Sequence, residues 1–397
     1  MNILHVTLGF LPAVGWGGPV QIVYNNAREL IRRGHRVTVY CTNLFDKRHK
    51  IQPHTFEDVV DDIRVVYFDT WRIPFWRGTL GPVWCPDLPS QLRRELPSFD
   101  IVHLNGYRNP MNLQIVNTLE SSRTPLVVQP HGAMPIIVNS FFVKRMYDLL
   151  WGKRELARAQ AFIALQESER EQILAHGIPP TRIAVIPNGL DSQTRPLNVQ
   201  PGFFRRRYNI PDATKLILFL GRINRKKGLD LLIEAFARLK NLDAILVIAG
   251  PDDGQLTEVK MLIARNNLHR RVILTGLLHG SDVLSAYRDA DLFVLPCRTD
   301  TFPTTIMEAC MMSVPMVVTE GVEIAPLLKN RAAEVVPFDA SMFAAAMQQV
   351  LSDTDLCEKY RAGCADLMHN VFSLTAAVDR LERLYRGLLA GIAPADL

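Results

Sequence analysis

Ile3 to Leu8 is a short, mostly apolar run, and after a loop rich in Gly and Pro the apolar positions change period. Val20, Val23, Tyr24, Ala27, Leu30 and Ile31 fall on one face of a 3.6-residue repeat, so the segment reads strand, loop, helix. Pro19 stands where a helix opens and Gly34 where one closes. Arg36 to Cys41 predicts a second strand, and apolar runs recur at 101–104 and 125–128 with helical stretches between and after them. Such alternation specifies a parallel sheet covered by helices on both faces. The pattern restarts at Ile183 to Ile186, a predicted strand followed by the turn Pro187-Asn188-Gly189-Leu190-Asp191. Residues 192–213 read as a linker with a short basic helix around Arg205–Arg207. Strands are then expected near 216–220, 244–249, 271–275, 291–295 and 314–319, with 339–390 mostly helical. The whole predicts two doubly wound α/β domains in series. Ligands of such sheets bind at the carboxyl ends of the strands, which makes a cleft between the domains the natural site.

A length of 397 residues agrees with two domains. With 48% hydrophobic and 21% charged residues the chain is globular rather than disordered. No uncharged apolar run reaches the ~18 residues of a membrane span. The six cysteines form no CxxC pair and no metal spacing, and read as reduced thiols of a cytoplasmic enzyme. No basic region precedes the first apolar stretch, so no secretory signal is expected. The net charge of +5 is uneven: residues 1–200 hold 22 Lys and Arg against 17 Asp and Glu, the remainder 23 against 23. A basic first half suits an anionic surface, and simple scatter accounts for it equally well.

Three loops carry candidate chemistry. Gly15-Trp16-Gly17-Gly18, ahead of the first helix, fits either a flexible turn or backbone amides offered to a phosphate. It is not GxGxxG, and the second strand ends in Cys41-Thr42-Asn43 rather than an acid for a ribose, which argues against a dinucleotide enzyme. Strand 216–220 runs into Gly221-Arg222-Ile223-Asn224-Arg225-Lys226-Lys227-Gly228, four cations at the end of a parallel strand. A solvated turn tolerates them, whereas a diphosphate would be held by them. Leu295 to Ala309 places Asp300 in a loop, Pro303 at a helix start and Glu308 about a turn inside, with amides near Thr304 and Thr305 available to an anion. Carboxylates accept from sugar and ribose hydroxyls while amides donate to phosphate, so the set is coherent for a sugar nucleotide. The structural alternative has Asp300 capping the helix and Glu308 pairing with a surface cation.

These residues resemble the retaining glycosyltransferases of family 4 over nearly the whole chain. The carrying motifs are Gly17-Gly18 with LIRRGHRVTVY, QPHGAMP, RIAVIPNGLD, GRINRKKGLDLLIEAF, and the acids separated by seven residues in DTFPTTIMEA. The resemblance implies a GT-B fold of two Rossmann-like domains facing each other across a cleft. An acceptor domain would span 1–195, a sugar-nucleotide domain 205–373, and a C-terminal helix about 374–397 would pack back on the first. It implies that Arg222 and Lys227 bind the donor diphosphate, Glu308 the ribose and Asp300 the transferred sugar. Phe302, Thr304 and Thr305 would complete the donor site. His131 would lie beside the reacting sugar, with Gly17 and Gly18 near phosphate or acceptor. Catalytic roles would fall to His131, Arg222, Lys227 and Asp300, with no metal ion and no cofactor beyond the nucleoside-diphosphate sugar. Two departures stand out: Asp300 replaces the commoner Glu, and Thr301-Phe302-Pro303 replaces Gly-Phe-Gly.

The implied activity moves a hexose or N-acetylhexosamine from a UDP- or GDP-sugar to an acceptor hydroxyl, with retention, on a lipid-linked or polysaccharide-precursor glycan. The alternatives are a non-catalytic sugar-nucleotide-binding subunit of a transferase complex, or an epimerase or phosphorylase on the same scaffold. A structural role is the simpler reading of His103, and Asp289-Ala290-Asp291 is rejected as a metal motif because it spans a helix end and a strand start. Trp71, Trp76 and Trp84 cluster with Phe75, Arg72 and Arg77, and Lys144, Arg145, Lys153 and Arg154 accompany Phe142, Met146, Leu149, Leu150 and Trp151. Core packing accounts for such aromatics, and so does a peripheral membrane contact through the N-terminal domain at the inner face of the cytoplasmic membrane. No nucleic-acid partner is expected.

Overall fold

The structure, a computed structural model, describes residues 1–13, 16–46, 49–72, 83–135, 141–191, 199–239 and 242–396. Gly15, Phe75, Trp76 and Arg77 lie outside the described residues. The chain divides into two compact units, Met1–Gly189 with Leu374–Leu397, and Leu190–Ser373. Of the predicted linker 192–213, the described residues 199–213 therefore belong to the second unit. Its helix Phe203–Arg207 is docked: Asp289 accepts from the amides of Gly202 and Arg205, and the Arg205 guanidinium meets Asp291 at 2.7 Å. The two aspartates that spell DxD are spent on this anchor.

The first unit is built on β1 (Asn2–Thr7), β2 (Arg36–Thr42), β3 (Phe56–Val60), β4 (Ile63–Phe68), a small ribbon of β5 (Trp71–Arg72) and β6 (Val83–Trp84), then β7 (Ile101–Asn105), β8 (Leu126–Gln129), β9 (Ala161–Ala164) and β10 (Ile183–Val185). Its main sheet runs β10-β9-β8-β7-β1-β2-β4-β3, parallel throughout except that β3 returns antiparallel on β4. β10 is the edge of this sheet and not the opening of the next. The inner strands are buried on both faces, which is why they read as continuous apolar runs. Leu4, Val6, Val102, Leu104 and Val128 pack on one face. Ile3, Val39, Ile101 and Val127 pack on the other, where Leu374, Val378, Leu381, Leu384 and Tyr385 of the C-terminal helix Leu374–Leu389 join the same core. Each such side chain contributes roughly 1.5–3 kcal/mol, so this helix is an integral layer of the first unit.

The second unit contains β11 (Lys215–Leu220), β12 (Ala244–Ala249), β13 (Val272–Gly276), β14 (Leu292–Leu295), β15 (Met316–Thr319) and β16 (Ala333–Val336). The order β13-β12-β11-β14-β15-β16, all parallel, is that of a doubly wound nucleotide-binding sheet. Strand order reverses between β11 and β14. At such a reversal the loops leaving the carboxyl ends diverge to opposite faces, which is where doubly wound sheets bind ligands, and in the first unit the same reversal falls between β1 and β7.

Candidate functional site

The basic loop follows β11 and the acidic loop follows β14, the two strands that flank the reversal in the second sheet. Residues 73 positions apart in sequence therefore meet: Lys227 Nζ lies 2.6 Å from Asp300 Oδ2. Both are largely buried, with 15% and 23% of their side chains exposed. Burial works against the charge on Lys227, but the adjacent Asp300 outweighs it, and the ammonium pKa is raised. Arg222 lies close enough for its charge to oppose that of Lys227, and itself pairs with Asp253 at 3.1 Å.

Backbone geometry holds the two loops together. Gly228 turns with φ 66°, and a Cβ there would stand 1.9 Å from the carbonyl oxygen of Pro296, so only glycine permits the approach. The Arg298 amide donates to the carbonyl of Lys226 at 2.7 Å, and the Arg298 guanidinium grips both oxygens of Asp230. Asp300 is itself stitched to the next loop, its amide donating to Gly321 and its carbonyl accepting from Glu323. It does not cap the following helix, Thr304–Met311, whose N-cap is Pro303 without a side-chain bond.

Glu308 sits in that helix and accepts from the Tyr287 hydroxyl at 3.1 Å. The amides of Thr304 and Thr305 belong to the first turn, where a helix offers donors to an anion. The Thr305 hydroxyl is buried without a partner among the described residues, an acceptor-seeking group beside that turn. The Phe302 ring packs edge-on against Phe372, so this side chain is committed to the core and any donor contact at the position falls to its backbone.

In the first unit, Gly17 is the N-cap of helix Gly18–Arg32, with φ 88° and no side-chain bond. His131 follows β8 and adopts φ 53°, a left-handed conformation that is costly for a residue with a Cβ. The turn is secured by Glu169, whose carboxylate is wholly buried and accepts from the amides of Gly132 at 2.6 Å and Leu165 at 2.7 Å. The His131 Nε2 lies 3.3 Å from Asn105 Oδ1. Beneath Asn105, His5 and His103 are register partners on β1 and β7 with ring centroids 4.9 Å apart, and His103 reaches the Tyr385 hydroxyl at 2.7 Å. His103 is thus structural.

Sequence reasoning missed Asn105, Glu169, Arg298 and Tyr287. Glu169 hides in ESEREQ, which reads as a solvated face, although its place after strand 161–164 was the available signal. Asn105 is the lone amide closing an apolar run, and that is its only signal.

Residues 16–194 match the family Glycosyltransferase Family 4, and residues 202–363 match Glycosyl transferases group 1. Over 273 residues, 66% of this chain and 70% of the relative, the sequence is 28% identical to the alpha-D-kanosaminyltransferase of Streptomyces kanamyceticus. The D-inositol 3-phosphate glycosyltransferase of Corynebacterium glutamicum is 23% identical across 98% of this chain and 96% of its own. Among solved structures, Anabaena Alr3699/HepE in complex with UDP and glucose superposes with a TM-score of 0.77 at 18% identity, covering 99% of this chain and all of that one. Sucrose-phosphate synthase of Thermosynechococcus elongatus gives 0.76 at 19% identity over 98% and 99%. The fold is accordingly GT-B, two Rossmann-like α/β domains.

The buried histidines set a pH dependence. Burial pushes His131 and His5 from 6.5 down to about 4, with the charge of His131 adding to the effect on His5, and holds His103 well below its usual value. A group depressed in the folded state contributes its full stability above the unfolded value of 6.5 and loses it as pH falls towards 4. Glu155, pushed up to about 7 by burial, acts oppositely, one group against three. The urea midpoint is expected to be lower at pH 5 than at pH 7.5; an equal or higher midpoint at pH 5 contradicts the placement of these rings.

Proposed function

The chain belongs to the family 4, group 1 glycosyltransferases, and from that premise we propose that it transfers a hexose or N-acetylhexosamine from a UDP- or GDP-sugar to an acceptor hydroxyl with retention at the anomeric carbon. The observation that carries the reading is the meeting of Lys227 and Asp300 at the strand-order reversal, with Arg222 and Glu308 on the same two loop systems. Negative charge develops on the departing diphosphate, and fixed donors aimed at that charge supply the largest catalytic term. Lys227, Arg222 and the amides at Thr304 and Thr305 are the donors, Glu308 is the ribose acceptor, and Asp300 is the acceptor for hydroxyls of the transferred sugar. Relatives of this fold solved with UDP, or with UDP-glucose, support a uridine donor.

Asp300 is engaged by an ammonium at 2.6 Å, which makes it a poor nucleophile. This supports same-face attack in which the leaving phosphate accepts the proton of the acceptor hydroxyl. The donor charges residing in Arg222 and Lys227 support a reaction independent of a metal ion. His131, in the strained turn of the first unit, is assigned a hydrogen bond to a hydroxyl of the sugar substrate.

The acceptor is proposed to be a lipid-linked or polysaccharide-precursor glycan met at a membrane surface. No helix among the described residues is long and apolar enough to cross a membrane. Met146, Leu149, Leu150 and Trp151 are nevertheless 56%, 68%, 56% and 43% exposed in one short stretch. Their neighbours are locked, for Asp148 clamps Arg108 at 2.7 Å and Tyr147 bonds the buried Glu155, so the apolar row is held outward on a firm base. Lys153 and Arg154 follow it, and Trp71 and Trp84 face each other as exposed cross-strand partners on the β5–β6 ribbon. Apolar side chains beside cations suit an anionic lipid interface.

Release of free nucleotide from UDP- and GDP-sugars by the purified chain tests the donor chemistry. Wild type is expected to hydrolyse one of them slowly, and Lys227→Ala to lower kcat/KM about 30- to 1,000-fold, equivalent to about 2–4 kcal/mol. Turnover of the variant within tenfold of wild type refutes the role of Lys227. For the membrane contact, wild type is expected to float with vesicles containing anionic lipid at low salt and Leu149→Asp/Trp151→Asp to remain in the dense fraction; equal flotation of both, or of neither, contradicts it.

A further inference from the structure

Asn105 closes β7 at the strand-order reversal of the first sheet and is nearly fully buried. Its side-chain Nδ2 has three acceptors around it: the carbonyl of Val6 at 3.3 Å, His5 Nδ1 at 3.3 Å and the carbonyl of His103 at 3.4 Å. Turning the carboxamide over would set its oxygen against two backbone carbonyls, which repel it. The amide orientation is therefore decided by β1 and β7, not by the ligand. Its oxygen faces His131 Nε2 at 3.3 Å, the long end of a hydrogen bond, and an amide oxygen can only accept. Nε2 must then carry the proton. His131 Nδ1 takes no hydrogen bond among the described residues, and the residue keeps some open surface.

A second set of contacts makes the arrangement rigid. The His131 backbone is held left-handed, and the amide of the next residue, Gly132, is pinned by Glu169 at 2.6 Å. A strained turn fixed from both the backbone and the ring is an arrangement that must be over-determined to persist. We propose that Asn105 is a positioning residue that holds His131 in the Nε2–H tautomer and leaves Nδ1 as a hydrogen-bond acceptor for a hydroxyl of the sugar substrate. The half of this that concerns the ligand rests on the function proposed above; the tautomer does not. An imidazole that accepts through Nδ1 selects a hydroxyl donor and rejects a carbonyl or deoxy position at the same place, because either leaves the lone pair unpaired.

The test uses the full chain with 15N-labelled histidine. Two-bond proton–nitrogen correlation spectra identify His131 among ten histidines by its loss in His131→Gln. Wild type is expected to give the Nε2–H pattern at neutral pH. Asn105→Leu, which removes the acceptor, should move His131 to a mixture of tautomers. An Nδ1–H pattern in wild type, or an unchanged pattern in Asn105→Leu, overturns the proposal. The wild-type spectrum keeps the question answerable if the leucine variant fails to fold, since an Nδ1–H pattern there overturns the proposal by itself. In nucleotide-sugar hydrolysis, Asn105→Leu is expected to lower kcat about tenfold or more with little change in KM. If the spectra behave as stated while hydrolysis is indifferent to both Asn105→Leu and His131→Gln, the ligand contact is overturned and the tautomer stands.

Discussion

The ion pair of Lys227 and Asp300 depends on a topological constraint: β11 and β14 lie side by side although more than 70 residues separate them, and the connections leave them in opposite directions. Nothing local brings the two side chains within 2.6 Å. Once the sheet is wound in this order, a loop bearing cations and a loop bearing acids must share one edge. The close backbone approach at Gly228 and the grip of Arg298 on Asp230 then reduce the freedom of that edge to a single arrangement. Pairing an ammonium with a carboxylate lets both remain charged while partly buried. In the proposed reaction a diphosphate would offer Lys227 a stronger anion and release Asp300 towards the sugar.

The first unit solves a different problem with buried polar groups. His5 and His103 occupy positions in the apolar face that the C-terminal helix covers, and Tyr385 of that helix reaches His103. Two buried histidines with the half-buried His131 beside them are tolerable only as neutral rings, which is how desolvation sets them. Their nitrogens are not interchangeable, because strand carbonyls dictate how Asn105 turns and Asn105 dictates how His131 turns. Specificity for one proton position is carried from backbone geometry to a side chain at the surface.

Much of the fold could be read from apolar periodicity, since strands buried on both faces leave apolar runs, although the buried β4 and β9 were passed over. β3 escaped because an edge strand with Glu57 and Asp58 at its centre has no apolar run to read. β10 could be found but not assigned to a sheet, for a short strand next to a turn looks the same whichever neighbour it pairs with. Residues around Arg205 resembled a linker because their anchors, Asp289 and Asp291, lie more than 80 positions downstream. In the candidate site, motifs whose spacing is local were legible: the basic loop, and the two acids separated by seven residues. Glu169, Arg298 and Asn105 act through partners distant in sequence, and their roles exist only in three dimensions. The exposed row from Met146 to Trp151 illustrates the converse, since composition alone fits core packing and only solvent exposure tells the two apart.

The central claim is that Asp300 occupies Lys227 until a diphosphate takes its place. Calorimetric titration of UDP and GDP, without any sugar attached, into wild type and Asp300→Asn isolates that competition from contacts to the sugar. If the account is right, whichever nucleotide wild type binds will bind several-fold more tightly to Asp300→Asn, because the ammonium has lost its resident partner. Equal or weaker binding by the variant would contradict it.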